Sequence, residues 1–356
     1  LYINNGDNTF TESAKDYGID DIGNSVQATF FDYDKDGDLD LYVANYPITP
    51  FDAPRSYYFY KMQNTDDYET DNLYRNDGSS FTRVTEEAGL RTYGLTLSAT
   101  IGDLNNDSYP DIYISNDFSS PDFMYMNNGD GTFSESVKET TNQTSFYGMG
   151  VDIADFNNDS YLDYIQVDMD AKDNRRSKAN MASMNPDLFW STVNYGFHYQ
   201  YMHNTLQLNR RIEGDKPFFS NISRLSGISS TDWSWGPLLA DLDNDGWKDL
   251  FISNGIRREI NHRDFFNEIK LRPMSNDSLL YYTEQMPSEA IANFTFKNNT
   301  DLTFTDVSES WGLDQKNFSN GATYADLDND GDLELIVNNV DQEAQIYRNN
   351  SKNNFI

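Results

Sequence analysis

The stretch Asp32-Tyr-Asp-Lys-Asp-Gly-Asp-Leu-Asp40 puts a carboxylate at every odd position of nine residues, against a single Lys35. Like charges this close cannot all ionise cheaply unless a cation sits among them. The pattern returns four times: Asp103-Leu-Asn-Asn-Asp-Ser-Tyr-Pro-Asp111, Asp155-Phe-Asn-Asn-Asp-Ser-Tyr-Leu-Asp163, Asp241-Leu-Asp-Asn-Asp-Gly-Trp-Lys-Asp249 and Asp326-Leu-Asp-Asn-Asp-Gly-Asp-Leu-Glu334. Each copy has an oxygen-bearing side chain at positions 1, 3, 5 and 9. One copy alone would read as a solvated turn in which Asn and Asp serve turn chemistry. Five copies with one internal spacing read as a repeat built to hold a metal.

Oxygens at positions 1, 3 and 5 of a tight loop converge on one point, the carbonyl of position 7 adds a ligand, and the acid at position 9 closes the set. Ca²⁺ takes about six to eight oxygens at flexible geometry. The candidate ligands are Asp32, Asp34, Asp36, Asp38 and Asp40 in the first loop, then Asp103, Asn105, Asp107, Tyr109 and Asp111 in the second. The third offers Asp155, Asn157, Asp159, Tyr161 and Asp163, and the fourth Asp241, Asp243, Asp245, Trp247 and Asp249. The fifth offers Asp326, Asp328, Asp330, Asp332 and Glu334. Gly37, Gly246 and Gly331 at position 6 permit the sharp turn, with Ser108 and Ser160 in their place in the other two loops. An EF-hand shares the opening but needs Glu at position 12, where this chain has Val43, Ile114, Gln166, Ile252 and Val337. Mg²⁺ suits the pattern less well, because it keeps several waters and a strict octahedron. The expectation is five Ca²⁺ sites, weaker in the second and third loops, where Asn105 and Asn157 remove a charge.

About 30 residues before each loop a second pattern recurs: Leu1-Tyr-Ile-Asn-Asn-Gly, Leu73-Tyr-Arg-Asn-Asp-Gly, Met124-Tyr-Met-Asn-Asn-Gly, Leu206-Gln-Leu-Asn and Phe294-Thr-Phe-Lys-Asn-Asn, with a further copy at Ile346-Tyr-Arg-Asn-Asn. Asn and Gly tolerate positive φ, so these are read as hairpin turns. Each loop is followed by an apolar run, such as Leu41-Tyr-Val-Ala or Ile112-Tyr-Ile-Ser. A unit of short antiparallel strands, repeated, predicts an all-β fold, a β-propeller of four-stranded blades. Loop starts lie 71, 52, 86 and 85 residues apart, so one propeller domain over 1–356 is expected to carry insertions at 46–71, 168–204 and 255–292. The first contains Tyr57-Tyr-Phe-Tyr60. The second is expected to be helical around Met181 to Tyr195, and the third around Asp264-Phe-Phe-Asn-Glu-Ile-Lys. Long insertions occur once each and are the expected partner-binding parts.

The 356 residues hold 26 Lys+Arg and 58 Asp+Glu, a formal charge of −32. That balance argues against nucleic acid or an anionic membrane surface as partners. Aromatics at 15% separate the chain from acidic disordered sequences. Cysteine is absent, which excludes disulfides and thiolate chemistry. No run approaches the ~18 apolar residues of a membrane-spanning helix. The chain opens on Leu1 within a repeat, so a processed or partial chain with targeting information upstream is expected.

These loops, lying between Leu-Tyr-x-Asn-Asn-Gly and Leu-Tyr-Val-x-Asn strands, resemble FG-GAP/VCBS repeats, the calcium-binding blades of integrin-α-like propellers. The stretches Tyr199 to Asn209 and Thr231-Asp-Trp-Ser-Trp-Gly to Gly246 are similar to the Bacteroidota VCBS-repeat proteins of cartilage-acidic-protein type that are associated with ASPIC/UnbV domains. The resemblance implies an exported calcium-loaded module at the cell surface, often an outer-membrane lipoprotein beside a nutrient transporter. Its partners would be proteins or glycans, with no catalytic residues and no cofactor beyond about five Ca²⁺.

The alternative is a calcium-dependent polysaccharide lyase, which would need a basic groove to neutralise a uronate and take a proton. Arg175-Arg176, Arg210-Arg211 and Arg257-Arg258 are the doublets to inspect, with His198 and His203 the sharpest imidazole pair. No Gly-x-Ser-x-Gly or His-Glu-x-x-His motif is present.

Overall fold

The computed structural model describes residues 1–50, 53–118, 120–181, 184–213, 216–271 and 276–351. Each of the three expected insertions contains residues outside this set, at 51–52, 182–183 and 272–275.

The chain groups into two compact units. The first comprises Leu1–Gly148 with Asp187–Gln200 and Asn209–Phe219. The second comprises Met149–Pro186, Tyr201–Leu208 and the chain from Ser220.

Two four-stranded antiparallel sheets build the first unit. One runs Ser25–Phe31, Asp40–Asn45, Asn72–Asn76 and Phe81–Arg83, and the other Thr96–Gly102, Asp111–Asn116, Phe123–Asn127 and Phe133–Glu135. Tyr2–Asn4 and Phe10–Glu12 form a separate hairpin. The second unit begins with Val151–Ala154 and Asp163–Gln166, which pairs with the start of the strand Thr205–Glu213. Next comes Asp232–Ala240, Asp249–Asn254, Phe294–Asn298 and Phe304–Asp306, with Met169–Asp170 added beside the first strand. The last sheet is Ser319–Ala325, Glu334–Asn339 and Gln345–Tyr347. In each of these five sheets an acidic nonapeptide joins the first strand to the second.

These are the blades of a β-propeller. Within a unit the first strands of successive sheets lie side by side. Gln27 accepts from the Ala99 N–H at 2.9 Å and donates to its carbonyl at 3.0 Å. Asp152 accepts from the Leu239 N–H at 2.6 Å. The second strands are sandwiched between neighbours, and every residue of Asp40–Asn45, Asp111–Asn116 and Asp249–Asn254 is buried. That two-sided burial explains the continuous apolar runs after each loop, where a one-faced strand would alternate. One core joins Tyr42, Leu73, Ile112, Ile114 and Phe133 in the first unit. Another joins Phe251, Leu335 and Val337 in the second. Each such side chain stabilises the fold by about 1.5–3 kcal/mol relative to exposure.

Four first strands share a register shift, between Ser25/Gln27, Thr96/Ser98, Ser234/Gly236 and Ser319/Gly321. At each bulge the Ser or Thr hydroxyl donates to the Asn that ends the second strand: Ser25 to Asn45, Thr96 to Asn116, Ser234 to Asn254 and Ser319 to Asn339, at 2.7–3.1 Å. The repeated bulge is a built feature that bends the strand where it enters the sheet.

The insertions are partly helical. Tyr57 to Tyr60 sit on a helix over Arg55–Gln63. In the second insertion helices cover Asn174–Ala179 and Pro186–Asn194, so the described helix there starts at Pro186, whose fixed φ suits a first turn. In the third, Arg263–Ile269 is helical, with His262 Nδ1 accepting from the Phe265 N–H at 3.3 Å, and Asn276–Glu284 follows.

Candidate metal centres

All five acidic loops share one backbone geometry. Position 4 takes positive φ in every copy: Lys35 61°, Asn106 58°, Asn158 56°, Asn244 54° and Asn329 58°. Asn tolerates that conformation better than most side chains, and it fills four of the five places. Position 6 is also left-handed, at Gly37 and equally at Ser108 (75°) and Ser160 (71°).

In four loops the position-1 carboxylate accepts from two loop N–H groups, whereas Asp32 accepts from that of Gly37 alone, at 3.2 Å. Asp103 takes those of Asp107 and Ser108 at 3.0 and 2.8 Å, and Asp155 those of Asp159 and Ser160 at 3.0 and 2.8 Å. Asp241 takes those of Asp245 and Gly246 at 3.0 and 2.9 Å. Asp326 takes those of Asp330 and Gly331 at 3.2 and 3.1 Å. The position-5 acid accepts from the position-7 N–H in each loop, as Asp107 does from Tyr109 at 2.8 Å and Asp245 from Trp247 at 3.0 Å. This turns the position-7 carbonyl with its loop.

The acid at position 9 is buried and braces the blade. Asp40, Asp111, Asp249 and Glu334 accept from the position-2 N–H of their own loop at 3.1, 2.9, 3.1 and 2.8 Å. With the other oxygen they accept from the N–H of an Asn on the third strand, Asn76, Asn127, Asn298 or Asn349, at 2.8, 2.8, 2.9 and 3.3 Å. That Asn is the one in the Leu-Tyr-x-Asn pattern. Its side chain donates to the position-8 carbonyl, Leu39, Pro110, Lys248 or Leu333. Asn127, Asn298 and Asn349 donate as well to the position-2 carbonyl of the preceding loop, at Tyr33, Phe156 and Leu242. Sequence reasoning gave these asparagines only a turn role. Their recurrence was the one signal the sequence offered, and the spacing to the loop each serves varies with the length of chain between the second and third strands.

Carboxylate oxygens converge in three loops among the described residues. Asp32, Asp34 and Asp36 each place an oxygen within 4.8 Å of the others, as do Asp241, Asp243 and Asp249, and Asp326, Asp328 and Glu334. In the second and third loops Asn105 and Asn157 stand at position 3, each accepting from the position-5 N–H. Burial pushes the Asp40 carboxyl up to about 6, and Asp111 and Asp249 to about 7, against the N–H bonds that lower them. Burial raises Asp34 as well, with Asp36 adding repulsion. Burial also lifts Asp332 to about 6, helped by Asp330.

These residues fit a hard divalent cation. The inward atoms of the loops are oxygens, and Asp32 Oδ1, Asp38 Oδ1 and Asp332 Oδ1 are buried with no hydrogen-bond partner. A buried carboxylate oxygen left so is costly, and a cation removes the cost.

The remaining sequence candidates take structural places. His198 is buried with its Nε2 3.0 Å from Thr141 Oγ1, and His203 is buried with its Nε2 3.2 Å from Asn221 Nδ2. Burial and then Arg224 hold the His203 imidazole near 4. Arg176 is buried between Asp232 (2.5 Å) and Glu259 (2.9 Å), and Arg175 pairs with Glu289 at 2.7 Å. Arg257 pairs with Asp341 at 2.5 Å. Trp233 is core, and Trp235 Nε1 donates to the Gly255 carbonyl at 2.7 Å.

Blades whose first two strands are joined by oxygen-rich loops define a β-propeller whose repeats can hold metal ions. Comparison with known proteins agrees: residues 1–43 and 103–165 match the FG-GAP-like repeat family. Cartilage acidic protein 1 of Mus musculus and of Xenopus tropicalis are each 24% identical over 200 residues, covering 48% of this chain and 31% of theirs. The Homo sapiens protein is 24% identical over 202 residues, covering 48% of this chain and 30% of its own. This chain therefore spans under a third of the length of the curated relatives it matches.

Proposed function

We propose that this chain is one calcium-stabilised extracellular β-propeller domain acting as a binding or structural module. In each loop, positions 1, 3, 5 and 9 and the position-7 carbonyl would hold Ca²⁺, which would supply the charge that lets the buried acids ionise. The carrying observation is that five loops repeat one left-handed turn geometry with a shared set of hydrogen bonds, and two of them hold buried carboxylate oxygens with no hydrogen-bond partner. Similarity to proteins named for cartilage supports an extracellular setting. The family resemblance extends this to the cell surface, with an outer-membrane uptake complex as the partner to try first. A catalytic role has less support, because Arg175, Arg176 and Arg257 are tied to carboxylates.

The partner surface we favour lies in the first unit, where two insertions bring exposed aromatics together. Phe59 and Tyr195 rings are 5.9 Å apart, Phe189 and Trp190 5.2 Å, and Phe189 and Tyr199 6.2 Å. Tyr60 and Trp190 are 60% and 56% exposed. Aromatic side chains of this kind anchor protein interfaces.

Calcium titration by calorimetry on the purified chain is the test. Saturable binding that raises the melting temperature supports the proposal, and an identical melt in chelator and in calcium would end it.

A further inference from the structure

One strand position distinguishes the loops. The residue just before the third-strand Asn is Arg75, Met126, Leu208, Lys297 and Arg348 in blade order. The three loops with Asp at position 3 have a cation there, and the two with Asn have an apolar residue. Met126 and Leu208 are buried. Arg75 pairs with Asp77 at 2.9 Å and reaches Asp34 through its field. Arg348 pairs with Asp328 at 2.8 Å, on an exposed side chain. Lys297 goes furthest: its half-buried ammonium bonds the Asp243 carboxylate and, at 2.7 Å, that of Asp245.

We propose that this strand residue sets the cation affinity of its own loop, and that Lys297 is a tethered competitor lying across two of the oxygens a Ca²⁺ ion would take in the fourth loop. An ammonium is a compact point charge with three donors, well suited to stand between two carboxylates. A divalent ion entering here must first displace it. Charge count alone ranks the fourth loop among the tightest, whereas the tethered lysine makes it the weakest. The second and third loops, with fewer charges and no competitor, fill before it.

This inference rests on the calcium reading above, and its test separates the two. Trp247 at position 7 gives the fourth loop an optical label, because the other loops carry Asp38, Tyr109, Tyr161 and Asp332 there. Terbium(III) is the probe, excited at the red edge of the tryptophan band, with Trp247→Phe identifying the fourth-loop signal. Calcium displacement of that signal gives the affinity. Lys297→Met installs the residue found at position 126, and is expected to tighten the Trp247-labelled site about tenfold while calorimetry shows the other sites unmoved. Lys297→Arg is expected to keep the weak site. An unchanged Trp247-labelled affinity in Lys297→Met, with the other loops binding normally, overturns the competitor and leaves the calcium reading intact. Absence of terbium and calcium binding from every loop overturns both.

Discussion

The second and fourth loops have the same frame and different charges. Asp103 and Asp241 hold the same two N–H groups within 0.1 Å of each other's distances. Asp111 and Asp249 brace the same position-2 and strand N–H groups. Yet one loop has Asn105 and a buried Met126 at the matching strand position, and the other has Asp243 bonded to Lys297. The closing acid and the left-handed residues therefore shape the loop, and the side chain at position 3 with its strand neighbour tunes the charge. Shape is common to all blades, while charge is set blade by blade.

The largest expected effect tests what the loops share. Moving from chelator to calcium at 100 times the dissociation constant should add about 2.7 kcal/mol per filled loop, read as a rise in melting temperature. Next, Asp111→Ala and Asp249→Ala each strand two N–H groups, and should each cost about 3 kcal/mol in chelator by denaturant melts. Equal losses would confirm a common brace, and a loss only in calcium would reduce the closing acid to a ligand.

Acidity gives a smaller effect of opposite sign in the two conditions. The folded Asp111 and Asp249 carboxyls near 7 lie above their unfolded value of ~3.9. In chelator the native state then holds extra protons, so stability is fully present below about pH 4 and is lost as pH rises through about 7. Calcium needs the ionised form, so its stabilising increment should grow between about pH 5 and about pH 8. Melts at both values with and without calcium give the sign directly.

Asn127→Ala removes bonds to the Tyr33 and Pro110 carbonyls and should cost about 1–2 kcal/mol with the second loop's ligands intact. The smallest effect on stability is outside the loops. Trp190→Ala with Tyr60→Ala should change the melt by under about 0.5 kcal/mol while weakening partner retention in a pull-down. Unaltered retention would move the contact surface elsewhere.

The repeat, the oxygen ligand set and the strand-loop-strand unit were legible in the chain itself, because each is a local spacing repeated until chance is excluded. So was the helix near Asp264, from its apolar face and the Asp near its start, and helical structure was also expected before Tyr195. Hidden from it were relations between residues far apart in sequence. The Leu-Tyr-x-Asn asparagine looked like a turn former, and only folding brings Asn298 to Asp249, Lys248 and Phe156 at once. Lys297 lies 52 positions after Asp245 in the chain, and only the pairing of second and third strands lays it across the fourth loop. Local chemistry is written in spacing, whereas the charge that a loop meets is decided by whichever strand tertiary packing sets against it.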